Sequence, residues 1–271
     1  MTAPNVSNPT RSAATANQVR LPRTAALGPG RGEQPRLLID APAGAAEIYL
    51  HGATVTSWVP RGGAEVIFTS RQAVFDGATA IRGGIPLCLP KFGAGINGDA
   101  VPKHGWARIA PWRLRTVTST DGGGVRALLS VSRDHLTALC EIQIGETLRL
   151  GLSLRNDGTE PRTVEAAAHT YLSVHDVTAS LVSGLAGASY SDNLARSPQE
   201  LRQVQDGDVR ITGPVDRIYD SAEPVTVTDP GHRRAIHIDK RNAPSTIVWN
   251  PWSTYSAPLP DMADDEFPTM V

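Results

Sequence analysis

The sequence predicts an all-β fold, a large antiparallel β-sandwich, on three observations. Short β-branched or alternating apolar runs recur along the chain, separated by Gly, Pro, Asp and Asn. Helical periodicity is scarce, and beyond the N-terminal residues there is no repeat period, heptad or low-complexity tract. The length of 271 residues suits one domain, since sandwiches of about 200 to 250 residues commonly form a single unit.

Residues 1–34 are expected to be a disordered extension and 35–271 the sandwich domain. The extension is rich in Ala, Thr, Asn, Pro and Gly and, up to Gly32, carries no carboxylate. Pro4, Pro9, Pro22 and Pro29 break any amphipathic helix there, which argues against a transit peptide. Strands are expected at Ala46–Leu50, Ala53–Val59 and, after the turn Pro60–Gly63, at Glu65–Phe68, as a three-stranded meander. Val125–Arg133, Leu139–Ile144 and Thr147–Arg155 continue the pattern, with Gly122–Gly124, Gly145 and Asn156-Asp157-Gly158 as turns. Thr163–Val174, Ala179–Leu185, Val225–Val227, Ala235–Ile238 and Thr246–Trp249 read as further strands. Between Leu194 and Val204 a helical turn or two is expected, with Ser197-Pro198 at its start.

Several classes of function are set aside by composition. With 26 basic against 27 acidic residues the net charge is -1, so the chain lacks the electrostatic footprint of a nucleic-acid binder. The two cysteines, Cys88 and Cys140, form no metal-type spacing and no disulfide framework, which fits a reducing cytoplasm. No apolar stretch of membrane-spanning length and no secretory signal is present. No metal, cofactor or membrane partner is therefore expected. The glycines of Gly28–Gly32 do not sit between a strand and a helix, and no GxSxG element occurs.

The chemistry concentrates in Ala80–Trp112, where cationic and imidazole side chains stand among glycines and prolines rather than in a periodic element. Arg82 precedes Gly83-Gly84, and His104-Gly105-Trp106-Ala107-Arg108 follows further on, so two guanidiniums and an imidazole can converge on one pocket. Arg offers a planar fork of donors that suits phosphate or carboxylate; the competing reading is a solvated surface loop. His169, in Ala166-Ala167-Ala168-His169-Thr170-Tyr171, has space beside its ring and is either a proton donor or a core histidine satisfied by Thr170 or Tyr171. Asp216, in Val215-Asp216-Arg217-Ile218-Tyr219, can accept hydrogen bonds from sugar hydroxyls, or pair with Arg217, or cap a turn. Trp249-Asn250-Pro251-Trp252 and the acids of Asp261–Glu266 combine aromatic surface with carboxylates, as a carbohydrate site or a rigid turn would.

Taken in order, HGATVTSW, AIRGGIPLCLPKFG, HGWAR, HTYLSV, VDRIY, VWNPW and DMADDEFPTMV resemble the successive motifs of the aldose 1-epimerase superfamily, and within it the glucose-6-phosphate 1-epimerase branch. The resemblance runs from about Leu37 to the last residue. It implies a galactose-mutarotase-like β-sandwich with a concave sugar site, and a cofactor-free interconversion of α and β anomers of hexose 6-phosphates. By motif position, His169 would be the general acid at the ring oxygen. Arg82, Lys103, His104 and Arg108 would bind substrate, the arginines its phosphate, and Asp216 would hold sugar hydroxyls. A monomeric, cytoplasmic enzyme is expected.

Two departures from that pattern bear on function. Lys103 stands where the family carries Gln, adding a charge for phosphate and removing an acceptor. The family's segment continues through Cys-Val-Glu, whose Glu is the catalytic base, whereas this sequence stops at Met270-Val271, so the base and the C-terminal strands after it are expected to be missing. The acids of Asp261–Glu266 resemble the family's surface turn, and Glu266 is not expected to replace the base. The alternative function is thus a non-catalytic phosphosugar-binding protein.

Overall fold

In the computed structural model, which describes residues 19–271, the architecture is all-β as expected. One four-stranded meander holds Ala25–Pro29, Pro35–Ala41, Gly44–Tyr49 and Thr54–Pro60, neighbours in that order. A second holds Arg113–Ser119, Val125–Arg133, Leu136–Ile144 and Leu148–Asn156. Their inward residues share one core, including Leu37, Ile48, Val55, Leu129 and Ile142, all withdrawn from solvent. Alternation produces this: Val125, Ala127 and Leu129 point inward while Arg126 is exposed. Burial of each such aliphatic side chain is worth about 1.5–3 kcal/mol.

The C-terminal half contributes two more antiparallel sheets. Arg202–Val204, Ser189–Asp192, Val215–Tyr219 and Thr246–Asn250 form one in that spatial order; Leu181–Ser183, Val225–Asp229 and Arg234–Ile238 form the other. A second core, with Val66, Leu172, Tyr219, Val227 and Val248, lies among them, and Trp58 packs against both cores. Between Leu194 and Val204 the helix is confined to Pro198–Leu201, before the strand Arg202–Val204 begins. Among the described residues, no helix is long and apolar enough to cross a membrane.

Three expectations need correction. The disordered extension was placed at 1–34, but Ala25–Pro29 is a strand, pairing Ala25 with Ile39 and Leu27 with Leu37. Its order comes from that ladder and from Val19 and Leu21 packing against the core, which composition does not register. The remainder of the extension, 1–18, lies outside the described residues. Glu65–Phe68 does not extend the first meander. The Glu65 carboxylate accepts the backbone N–H groups of Trp58, Val66 and Ile67 at 2.9–3.0 Å, and the backbone link to the preceding strand is the bond from Val66 N–H to the Trp58 carbonyl at 3.0 Å. The segment then bridges to the chain near His169, pairing Ile67 with Leu172. Thr163–Val174 is not one strand: only Ala167–Ala168 ladders, opposite Leu87–Cys88.

That two-residue ladder sets the position of the site. His169 N–H donates to the Pro86 carbonyl at 3.0 Å and Tyr171 N–H to that of Gly84 at 2.9 Å, so the His169 segment runs alongside Arg82–Pro86. Gly83 and Gly84 adopt φ of 97° and 72°. A Cβ on Gly84 would stand 2.5 Å from the Val55 carbonyl oxygen, so the double glycine lets the chain pass between neighbouring backbones. Gly84→Ala is expected to destabilise the fold by about 2 kcal/mol or more, from the left-handed φ and the backbone clash together. Urea denaturation checks this, and a loss below about 0.5 kcal/mol would show that the passage is not tight.

Candidate active site

Arg82, Arg108 and His169 line one cavity of about 210 Å³, together with Thr79, Tyr171 and Asp261. Arg82 comes from the double-glycine segment, Arg108 from the single-turn helix Ala107–Ile109, and His169 from the residue after the Ala167–Ala168 strand. The two guanidiniums converge as expected, but the imidazole that lines the cavity with them is His169; His104, the imidazole expected there, is not among the lining residues.

Arg82 is held on two sides. Its Nε donates to Asp261 Oδ1 at 3.1 Å and its Nη1 to the Tyr171 hydroxyl at 3.1 Å. Burial opposes its charge, but the adjacent Tyr171 and Asp261 outweigh that and hold its pKa above the ordinary value. Arg108 is different. Its Nη2 donates to the Lys103 carbonyl at 3.0 Å, while its Nε is buried and, among the described residues, has no hydrogen-bond partner. Burial, with Arg82 adding to it, lowers its pKa. A buried guanidinium donor without a partner is uncommon, and Arg108 is also one of the residues lining the cavity.

His169 stacks on the Tyr171 ring at 4.8 Å and 18°, and the Trp249 edge meets both rings. Stacking rather than a hydrogen bond to Thr170 or Tyr171 orients the imidazole, so the core-histidine alternative does not describe it. Burial, then the charges of Arg82 and Arg108, depress its pKa to about 4. His104 lies beside it, ring centroids 6.1 Å apart. The Gly93 N–H donates to His104 Nδ1 at 3.2 Å, so the neutral ring carries its proton on Nε2 and is a donor there. Burial and the nearby cations push its pKa down to about 3.

Lys103, His104 and Asp216 do not line this cavity, although His104 lies beside His169. The Lys103 side chain is exposed, and its charge is felt at both His104 and Asp216. Asp216 sits opposite Trp249 across the Val215–Tyr219 and Thr246–Asn250 pair, which places it beside the aromatic wall. Its carboxylate accepts from Asn193 Nδ2 at 2.9 Å, and burial raises its pKa. Arg217, the expected alternative partner, instead meets Asp192.

The acids of Asp261–Glu266 correct another expectation. Asp264 and Asp265 are exposed, but Asp261 and Glu266 are buried. Glu266 accepts from Ser70 Oγ at 2.7 Å, Arg71 N–H at 2.8 Å and Ala263 N–H at 2.9 Å, a structural tie that leaves it no role as a base. Asp261 and Tyr171, the cavity residues that hold Arg82, were not assigned to the site from the sequence. The signal for Asp261 was its flanking Met262, which is almost fully buried.

A model of the family described as Aldose 1-epimerase matches residues 35–271. The chain is 31% identical over 245 residues to a protein of Cenchrus ciliaris named "Putative glucose-6-phosphate 1-epimerase", covering 83% of this chain and 73% of that one. A protein of the same name from Escherichia coli strain K12 is 30% identical over 245 residues, covering 87% and 80%. The crystal structure of a "putative mutarotase" from Salmonella typhimurium superposes with a TM-score of 0.83 at 27% identity, over 93% of this chain and 85% of that one.

Two depressed imidazoles couple stability to pH. The unfolded chain takes up protons near pH 6.5, whereas folded His169 and His104 do so only near 4 and 3, so stability falls as pH drops below about 6.5. Between pH 7 and pH 5 the parent is expected to lose about 1–2 kcal/mol more than His169→Gln, measured by urea titration. Equal losses would mean that the ring titrates normally.

Proposed function

Because the chain belongs to the aldose 1-epimerase family, we propose that it interconverts the α and β anomers of a hexose 6-phosphate, without a cofactor, in the cytoplasm. One observation carries the choice of a phosphorylated substrate: Arg82 and Arg108 share a small cavity with His169, and the Arg108 Nε is buried without a partner. Each charge-assisted hydrogen bond to phosphate is worth about 1.5–3 kcal/mol, so two such arginines separate a hexose phosphate from the free hexose by orders of magnitude. The names of the relatives agree with this substrate class.

In this reaction His169 protonates the ring oxygen as the C1–O5 bond breaks, while a base takes the C1 hydroxyl proton to leave the aldehyde. Rotation about C1–C2 and reclosure through the same steps in reverse give the other anomer. An imidazole held near pKa 4 is poorly protonated at neutral pH. Burial depresses it most, and a phosphate seated against Arg82 and Arg108 offsets the arginine charges that add to this, so substrate binding makes the acid easier to protonate. Asp216 and the Trp249 ring offer the sugar an acceptor and an apolar face.

A second reading is favoured by the carboxylates. Among the described residues, Asp261 is engaged by Arg82, Asp216 by Asn193 and Glu266 by Ser70 and Arg71, so none stands free as a base. On that reading the chain binds a phosphosugar without turning it over.

Anomer exchange followed by magnetisation-transfer nuclear magnetic resonance separates the two. Glucose 6-phosphate is expected to exchange faster than in buffer and faster than free glucose. His169→Gln should lower the rate by about 10²- to 10⁴-fold. Arg108→Ala should raise KM for the phosphate ester by about tenfold or more while leaving glucose unaffected. Binding with exchange at the buffer rate would select the second reading, and equal handling of glucose and its phosphate would reject the phosphate assignment.

A further inference from the structure

Two like charges in one partly buried cavity repel each other, and an arginine side chain has many rotamers by which to swing toward solvent. Arg108 is restrained by its short helix and by the Lys103 carbonyl. Arg82 is restrained by groups from distant parts of the chain. Asp261, 179 residues away in sequence, takes its Nε, and the Tyr171 hydroxyl takes its Nη1. The loop bearing Asp261 is itself tied down. Glu266 fastens it to Ser70 and Arg71, and Met262 and Met270 pack with Phe68 and Tyr171 in one small apolar cluster.

We propose that Asp261 and Tyr171 are positioning residues that lock the Arg82 guanidinium so that only its outer edge, Nη2 and the second Nη1 hydrogen, faces the ligand. The inference rests on the assignment of Arg82 to the substrate phosphate. Its consequence is specificity. With Nε occupied, the side-on approach that a carboxylate or phosphate takes at Nε and Nη2 is closed, and the oxyanion is met end-on in the cavity that Arg108 also lines. Asp261 thus serves phosphate binding although it carries the same sign of charge as the ligand.

That last point makes the idea testable, because charge and position predict opposite signs. If Asp261 acted only through its charge, removing it would tighten binding of an anion. If it positions Arg82, removing it weakens binding. Calorimetry with the full chain should therefore give a Kd for glucose 6-phosphate raised about tenfold in Asp261→Ala and severalfold in Tyr171→Phe, the latter leaving no cavity that could compromise folding. Where turnover is measurable, KM should rise with kcat within about twofold, and weak binding of free glucose should be unchanged. Tighter or unaltered binding in both variants would overturn the proposal.

A ligand-free readout separates this from the substrate assignment. The Arg82 Nε–H resonance, identified by its loss in Arg82→Lys, should exchange slowly with water in the parent and at least about tenfold faster in Asp261→Ala. If the parent binds no sugar phosphate, the assignment of function fails while the lock is still decided by that exchange rate. Rapid exchange in the parent would refute the lock itself.

Discussion

Holding two guanidinium charges against one imidazole inside a small cavity is the constraint on which the rest of this site depends. Burial disfavours each charge, and each charge disfavours protonation of His169 and His104. The protein does not cancel this tension. It gives Arg82 a counter-ion and a hydroxyl, leaves the Arg108 Nε unpaired, and keeps both imidazoles neutral near physiological pH. An anion entering the cavity would offset the charge part of that tension, though not the burial. On the proposed reading, that anion is the substrate phosphate, which would offset the repulsion between the arginines and ease protonation of His169.

The fold supplies the geometry through a few short connections rather than through its large sheets. Two meanders and two C-terminal sheets build the cores, but the site hangs on the two-residue ladder between Leu87–Cys88 and Ala167–Ala168. Its flanking hydrogen bonds, His169 to Pro86 and Tyr171 to Gly84, align the histidine segment with Arg82. Tyr171 joins the layers, stacking on His169, meeting Trp249 edge-on and accepting from Arg82. Asn250 then anchors the last residues, donating to the carbonyls of Phe267 and Met270 at 2.9 Å each.

Much of this was legible in the sequence. Alternation and turn residues announced an all-β chain, and glycines around Arg82 and Arg108 marked a ligand segment, because only a close backbone approach calls for Gly83-Gly84. What escaped was governed by partners far along the chain. Ala25–Pro29 has a strand's order only because Pro35–Ala41 lies beside it. Glu65 looked like the start of a strand, yet its carboxylate takes three backbone N–H groups. Asp261 read only as one acid of a carbohydrate site or a surface turn, since nothing local says that Arg82, 179 residues earlier, needs a counter-ion. Lys103, His104 and Asp216, read as site residues, stand outside the cavity, Asp216 opposite Trp249 and His104 beside His169.

The most direct test is the titration of the His169 ring, followed by nuclear magnetic resonance on the full chain, first free and then saturated with glucose 6-phosphate. A phosphate seated between the arginines must lift the ring's titration midpoint above its free value of about 4, and free glucose must leave it where it was. A midpoint that stays or falls when the sugar phosphate is bound would contradict the coupling of phosphate to acid, and with it the reason for holding two arginines beside this histidine.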